Sequence, residues 1–124
     1  MSDKPHKNLD AWKLSFEFVK HLYIITANFP SEEKFGLISQ LRRAAVSVPV
    51  NIAEGAGRKS TKEFINFLSI ALGSVSELDT LILLSRDLGF MKTEISVELL
   101  NKLDIIGKLI YGLMKKLRQN EIKT

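Results

Sequence analysis

The chain of 124 residues has no cysteine, two histidines, three prolines and one tryptophan. Without cysteine there is no disulfide framework and no thiolate to act as nucleophile or metal ligand, which fits a reducing compartment. Glu17 and His21 stand four apart on one helical face. A di-iron bundle would need Glu-x-x-His on two helices and further inward glutamates, and neither repeat exists. Serine catalysis would need a histidine base beside it, and nothing in the pattern places one there. No cofactor, metal or catalytic residue is therefore expected, and the chain is not expected to be an enzyme. No stretch alternates with period 2, so half-buried strands are excluded. No apolar run approaches the roughly 20 residues of a membrane span. The longest, Leu81 to Leu84, reads as core. The polar start, Met1 to Lys7, has no signal-peptide apolar core. A cytoplasmic protein without membrane association is expected.

What is present is mostly helix. Composition, 45% hydrophobic and 26% charged, is that of a globular domain. Apolar residues recur at 3–4 spacing throughout. Helix 1 is expected over about 10–28, with one stripe of Trp12, Phe16, Val19 and Tyr23 and a second of Phe18, Leu22, Ile25 and Phe29. Trp12 and the phenylalanines read as core. Pro30 closes the helix. Helix 2 is expected over about 32–54, with Ser31 as N-cap, Glu32 and Glu33 in the first turn, and a core stripe of Ile38, Leu41, Ala45, Val48 and Ile52. Gly55 and Gly57 are expected to end it. Helix 3, about 61–88, opens with the capping box Ser60-Thr61-Lys62-Glu63 and carries Phe64, Leu68, Ala71, Val75, Leu78 and Ile82. Gly89 stops it. Helix 4, about 94–119, carries Leu99, Leu103, Ile106, Ile110, Leu113 and Leu117, with its last residues fraying. Short links force neighbours to run antiparallel. The expected fold is all-α, a single up-down-up-down antiparallel four-helix bundle over residues 1–124.

Helix 2 departs from simple amphipathicity. At about 100° per residue, Gln40, Arg43, Ser47, Asn51 and Glu54 fall within an arc of about 80°. The core stripe lies to one side of this polar strip. Val46, Val50 and Ala53 lie to the other, where a monomer would expose them. A helix covered on both flanks is expected, by its own bundle and by a neighbouring subunit. Arg43 needs an acidic partner, either Glu54 along the strip or Glu77 on helix 3. Pro49 interrupts the hydrogen bonding at Ala45, so a kink is expected, with Ser47 available for a freed carbonyl.

The formal net charge is +4 and the pI about 9.4, which favours polyanionic partners. Arg42, Arg43, Arg58, Lys59 and Lys62 form one cluster, and Lys115, Lys116, Arg118 and Lys123 a second. Either is equally a solvated face, and the second also complements a helix dipole. Gly55-Ala56-Gly57-Arg58-Lys59-Ser60-Thr61 superficially resembles a phosphate loop. It fails, because Arg58 replaces the glycine before the lysine and a helix precedes it. Arg58, Lys59 and the free amides opening helix 3 would still suit one backbone phosphate, without base reading.

Particular motifs carry a resemblance over nearly the whole chain. They are Phe29-Pro30, Glu33-Lys34-Phe35-Gly36-Leu37, the run from Gln40 to Gly55, Arg58, Lys62-Glu63-Phe64, Ala71-Leu72-Gly73-Ser74, Glu77-Leu78 and Leu88-Gly89-Phe90. Together they resemble the four-helix-bundle family named for intervening sequences of 23S ribosomal RNA. The resemblance implies a ring-like homopentamer, often encoded within insertions in bacterial 23S rRNA genes, with no enzymatic activity established for the class. A related branch resembles the accessory protein of diversity-generating retroelements, which works with a reverse transcriptase and nucleic acid. The implied partners are other copies of the chain and RNA or DNA, with a protein such as a reverse transcriptase as the alternative. Arg43, Asn51, Glu54 and Arg58 then stand as oligomer determinants, nucleic-acid contacts, or both.

Overall fold

A computed structural model describes the backbone of residues 4–123 and the side chains of residues 4–121; Met1 to Asp3, Thr124 and the side chains of Ile122 and Lys123 lie outside the described residues. Four helices run in sequence: α1 (Asp10–Thr26), α2 (Leu37–Ala56), α3 (Thr61–Asp87) and α4 (Thr93–Lys123). Short 3₁₀ turns at Pro5–Asn8 and Ser31–Glu33 precede α1 and α2. Among the described residues there is no strand. The fold is the expected antiparallel four-helix bundle. α2 and α3 share the most extensive contact, and α1 and α4 the least.

The helix ends show where local chemistry overrode the sequence pattern. α1 stops at Thr26 rather than Asn28, because Asn28 and Phe29 take tighter hydrogen bonds to Ile25 and Thr26. Ser31 is not the N-cap of a helix: it opens the 3₁₀ turn, and α2 begins only at Leu37. The capping acceptor is Glu33, whose Oε1 takes the Leu37 N–H at 3.1 Å. Capping by an acidic side chain is good chemistry at a helix N-terminus. Gly55 does not end α2 but lies inside it. A Cβ there would stand 2.8 Å from Phe67 Cβ and 2.9 Å from Phe64 Cδ1, so the glycine is required by the close approach of α2 to α3. α4 runs to Lys123, past the expected end at 119, and is helical where fraying was expected.

The expected capping of α3 is present. Ser60 Oγ accepts the Glu63 N–H at 3.1 Å and donates to Glu63 Oε1 at 3.0 Å. At the other end Gly89 takes φ +84°. Its N–H bonds the Arg86 carbonyl and that of Phe90 bonds the Ser85 carbonyl, which together make a Schellman stop. The turn then packs Phe90 on Phe29, with ring centroids 5.9 Å apart.

The core is aliphatic. Leu22, Leu41, Ile52, Leu68, Leu78, Ile82, Leu99 and Ile110 are fully buried, and each side chain so removed from water contributes about 1.5–3 kcal/mol. α3 has the length and apolar composition of a membrane span; in the fold it is a bundle helix packed between α2 and α4. Several aromatics expected in the core are not there. Phe16 is 44% exposed, Tyr23 41% and Phe35 90%. α1 has two apolar stripes, and the bundle covers only the one carrying Phe18 and Leu22.

Candidate functional site

The arginines of the first basic cluster are engaged within the chain. Arg42 is half-buried. Its Nε donates to Thr26 Oγ1 at 2.9 Å and its Nη2 to the Tyr23 carbonyl at 3.2 Å, while the guanidinium lies 4.3 Å from the Tyr23 ring centroid. It thus ties α2 to the last turn of α1, where Thr26 already caps the Leu22 carbonyl. Nothing in the spacing of the sequence marks Thr26 as its partner. Arg43 pairs with Glu77 of α3. The alternative partner, Glu54, instead takes Arg58 Nη2 at 2.8 Å, from just beyond the end of α2. Arg58 Nη1 also lies 3.7 Å from Glu63 Oε2, and its guanidinium covers the Phe67 ring at 4.9 Å.

The phosphate cradle envisaged at Arg58, Lys59 and the opening of α3 therefore has a particular state. Arg58 is held between two carboxylates, and the Glu63 amide is already taken by Ser60. Lys59 and Lys62 are exposed, and no side-chain partner holds either in place. They are the cations of this cluster that stay free for an outside anion.

The polar strip of α2 is an intramolecular seam along most of its length. Ser74 Oγ donates to Ser47 Oγ at 2.8 Å. Asn51 Nδ2 donates to the Ser47 carbonyl at 2.8 Å and to its hydroxyl at 2.9 Å. Ser47–Ser74 and Arg43–Glu77 cross from α2 to α3, and Asn51 braces Ser47 within α2. Gln40 and Glu54 remain exposed at its two ends. Ser47 is used by Asn51 and Ser74 rather than by the carbonyl that Pro49 frees, and α2 continues as one helix through Pro49.

Beyond the strip lies an open apolar groove between α1 and α2, lined by Trp12, Phe16, Val19, Val46, Pro49 and Val50, with Lys20 and Ala53 at its margins. Val46 and Val50 are 37% and 54% exposed. The expected outward apolar flank of α2 is thus real in the monomer, and the uncovered stripe of α1 extends it. That both stripes of α1 cannot face one core was the sequence signal for this half of the groove.

Other polar contacts are surface ties. Lys102 Nζ donates to His21 Nδ1 at 3.0 Å and pairs with Glu98 at 3.2 Å, closing the α1–α4 seam. Among the described residues no three His, Asp or Glu side chains converge as metal ligands.

The four antiparallel helices place the protein in the class of four-helix bundles. The family model for 23S rRNA-intervening sequence proteins matches residues 7–112, and the chain belongs to that family. Among solved structures it is similar to a protein of unknown function from the S23 ribosomal protein family of Bacteroides thetaiotaomicron VPI-5482. The TM-score is 0.79 at 26% identity, over 85% of this chain and 95% of that one. No curated protein matches the chain.

Proposed function

We propose that the chain is a non-enzymatic, homo-oligomeric protein that binds RNA through backbone phosphates. The observation that carries the phosphate contact is the division of labour among the cations. Arg42, Arg43 and Arg58 are tied down by the chain itself, while Lys59 and Lys62 project unpaired from a chain of net charge +4. Free lysines are point charges suited to phosphate without base reading. Self-association is supported by the apolar groove of α1 and α2, which a second copy would cover. Assembly would multiply the positive field and strengthen individually weak contacts.

Light scattering on the purified protein, with and without a short structured RNA, tests both halves. The expected outcome is an oligomer, a pentamer by the family resemblance, that takes up RNA at about 50 mM salt and releases it as salt rises. An oligomer indifferent to RNA at low salt sinks the nucleic-acid half and turns attention to a protein partner. A monomer at micromolar concentration sinks the other half.

A further inference from the structure

Arg58, Lys59 and Lys62 of the first basic cluster lie more than fifty residues from the second in the chain, and the fold brings them to one end with it, while Arg42 and Arg43 stay in the other half. α3 and α4 leave the same short turn in opposite directions along the sequence. Lys62 lies about 38 Å from that turn along α3 and Lys115 about 33 Å along α4, at about 1.5 Å per residue. The end they share also holds the close of α2 and the start of α1. The half of the bundle made by residues 4–18, 47–74 and 106–121 carries ten lysines and arginines against five carboxylates. The half made by 19–46 and 75–105 carries seven against eight. The positive charge of the molecule is therefore concentrated at one end.

A groove between α3 and α4 runs into this end. Its walls include Ser76 and Asp79 on α3 and Asp104, Lys108, Tyr111 and Lys115 on α4. Lys62 falls two heptads below Ser76 on the same face of α3, and Arg118 two heptads below Asp104 on α4. The groove is thus polarised. Asp79 and Asp104 mark its upper part, where Asp104 holds Lys108 at 3.0 Å. Below them come Tyr111, 58% exposed, then Lys115, Arg118 and Lys62. Gly112, beside Tyr111, leaves open space where a side chain would stand.

We propose that the lower half of the α3–α4 groove is a track for a single-stranded segment of RNA, with Tyr111 stacking one base and Lys62, Lys115 and Arg118 holding the flanking phosphates. The proposal rests on the nucleic-acid function above and assigns it a surface and a strand state. An exposed aromatic set among unpaired cations is the chemistry of sequence-tolerant single-strand binding. A duplex keeps its bases stacked inside and offers Tyr111 nothing. The carboxylates of the upper groove repel phosphate and set where the track ends.

The test is fluorescence anisotropy of a labelled single-stranded RNA of about ten nucleotides and of the same sequence as a duplex, across a salt series. The protein is expected to prefer the single strand. Tyr111→Leu is expected to weaken single-strand binding by about ten-fold while leaving duplex binding unchanged, and Tyr111→Phe to restore it. Lys62→Gln with Lys115→Gln and Arg118→Gln is expected to flatten the salt dependence by about three phosphate contacts. All four side chains are exposed, so the fold survives these changes, and the tyrosine pair reads out independently of the charge variant. If the unmodified protein binds no RNA, the function itself fails. If it binds RNA and both sets of variants bind as well as it does, the function stands and this surface is wrong.

Discussion

Gly55 shows how much one missing methyl can decide. An alanine in a helix is ordinarily about 1 kcal/mol better than glycine. Here its Cβ would overlap Phe67 Cβ and Phe64 Cδ1, neither of which is the loose end of a flexible chain. Overpacking of that kind costs about 1–3 kcal/mol. Gly55→Ala is therefore expected to lower the urea midpoint. Gly73→Ala, on an exposed face of α3 with nothing near its Cβ, is expected to raise it by an amount corresponding to about 0.5–1 kcal/mol. The sequence offers Gly55 as a helix stop and Gly73 as a glycine inside a helix, and marks neither as a close contact. Only the crossing of α2 over α3 separates them.

At the scale of the element, the start of α2 was misplaced because its best local signal was a decoy. Ser31 followed by two glutamates has the composition of a helix start. Pro30 fixes the chain direction there, and a single 3₁₀ turn uses Ser31 up. Gly36 then provides the N-cap position, and Glu33 reaches forward to the Leu37 amide. Glu33→Ala is expected to cost about 1 kcal/mol in thermal or chemical unfolding, and Ser31→Ala less than about 0.5 kcal/mol. Equal losses from the two substitutions would contradict this assignment. The polar strip of the same helix illustrates the converse. Its confinement to a narrow arc was legible, as was Glu77 as a partner for Arg43. The Ser47–Ser74 contact that completes the seam was not, since periodicity sets a face without naming what stands opposite.

At the scale of the molecule, the bundle leaves uncommitted the apolar groove of α1 and α2 and the basic end, among other surfaces. The first bears on assembly. Val46→Glu together with Val50→Glu places two charges where a partner copy would exclude water. These side chains touch little of the protomer's own core, so helicity by circular dichroism is expected to persist while sedimentation shifts to a smaller species. Retention of full oligomer size in that variant would move the interface elsewhere. If the proposed function holds, RNA uptake is expected to weaken with the loss of assembly even though no basic residue has changed.

The sequence by itself determined the four helices, the α3 cap and stop, the aliphatic core and the family, because 3.6-residue periodicity, capping chemistry and positive-φ glycine are local properties. Tertiary structure decided which cations are free. Arg42 and Arg58 read as available until Thr26 and Glu63 are brought against them from another helix or across a link, and of the two carboxylates open to Arg43 the fold supplies Glu77. Tertiary structure also split the first basic cluster and joined its Arg58, Lys59 and Lys62 to the second at one end, because the antiparallel return of α4 along α3 places residues together that the chain itself keeps far apart.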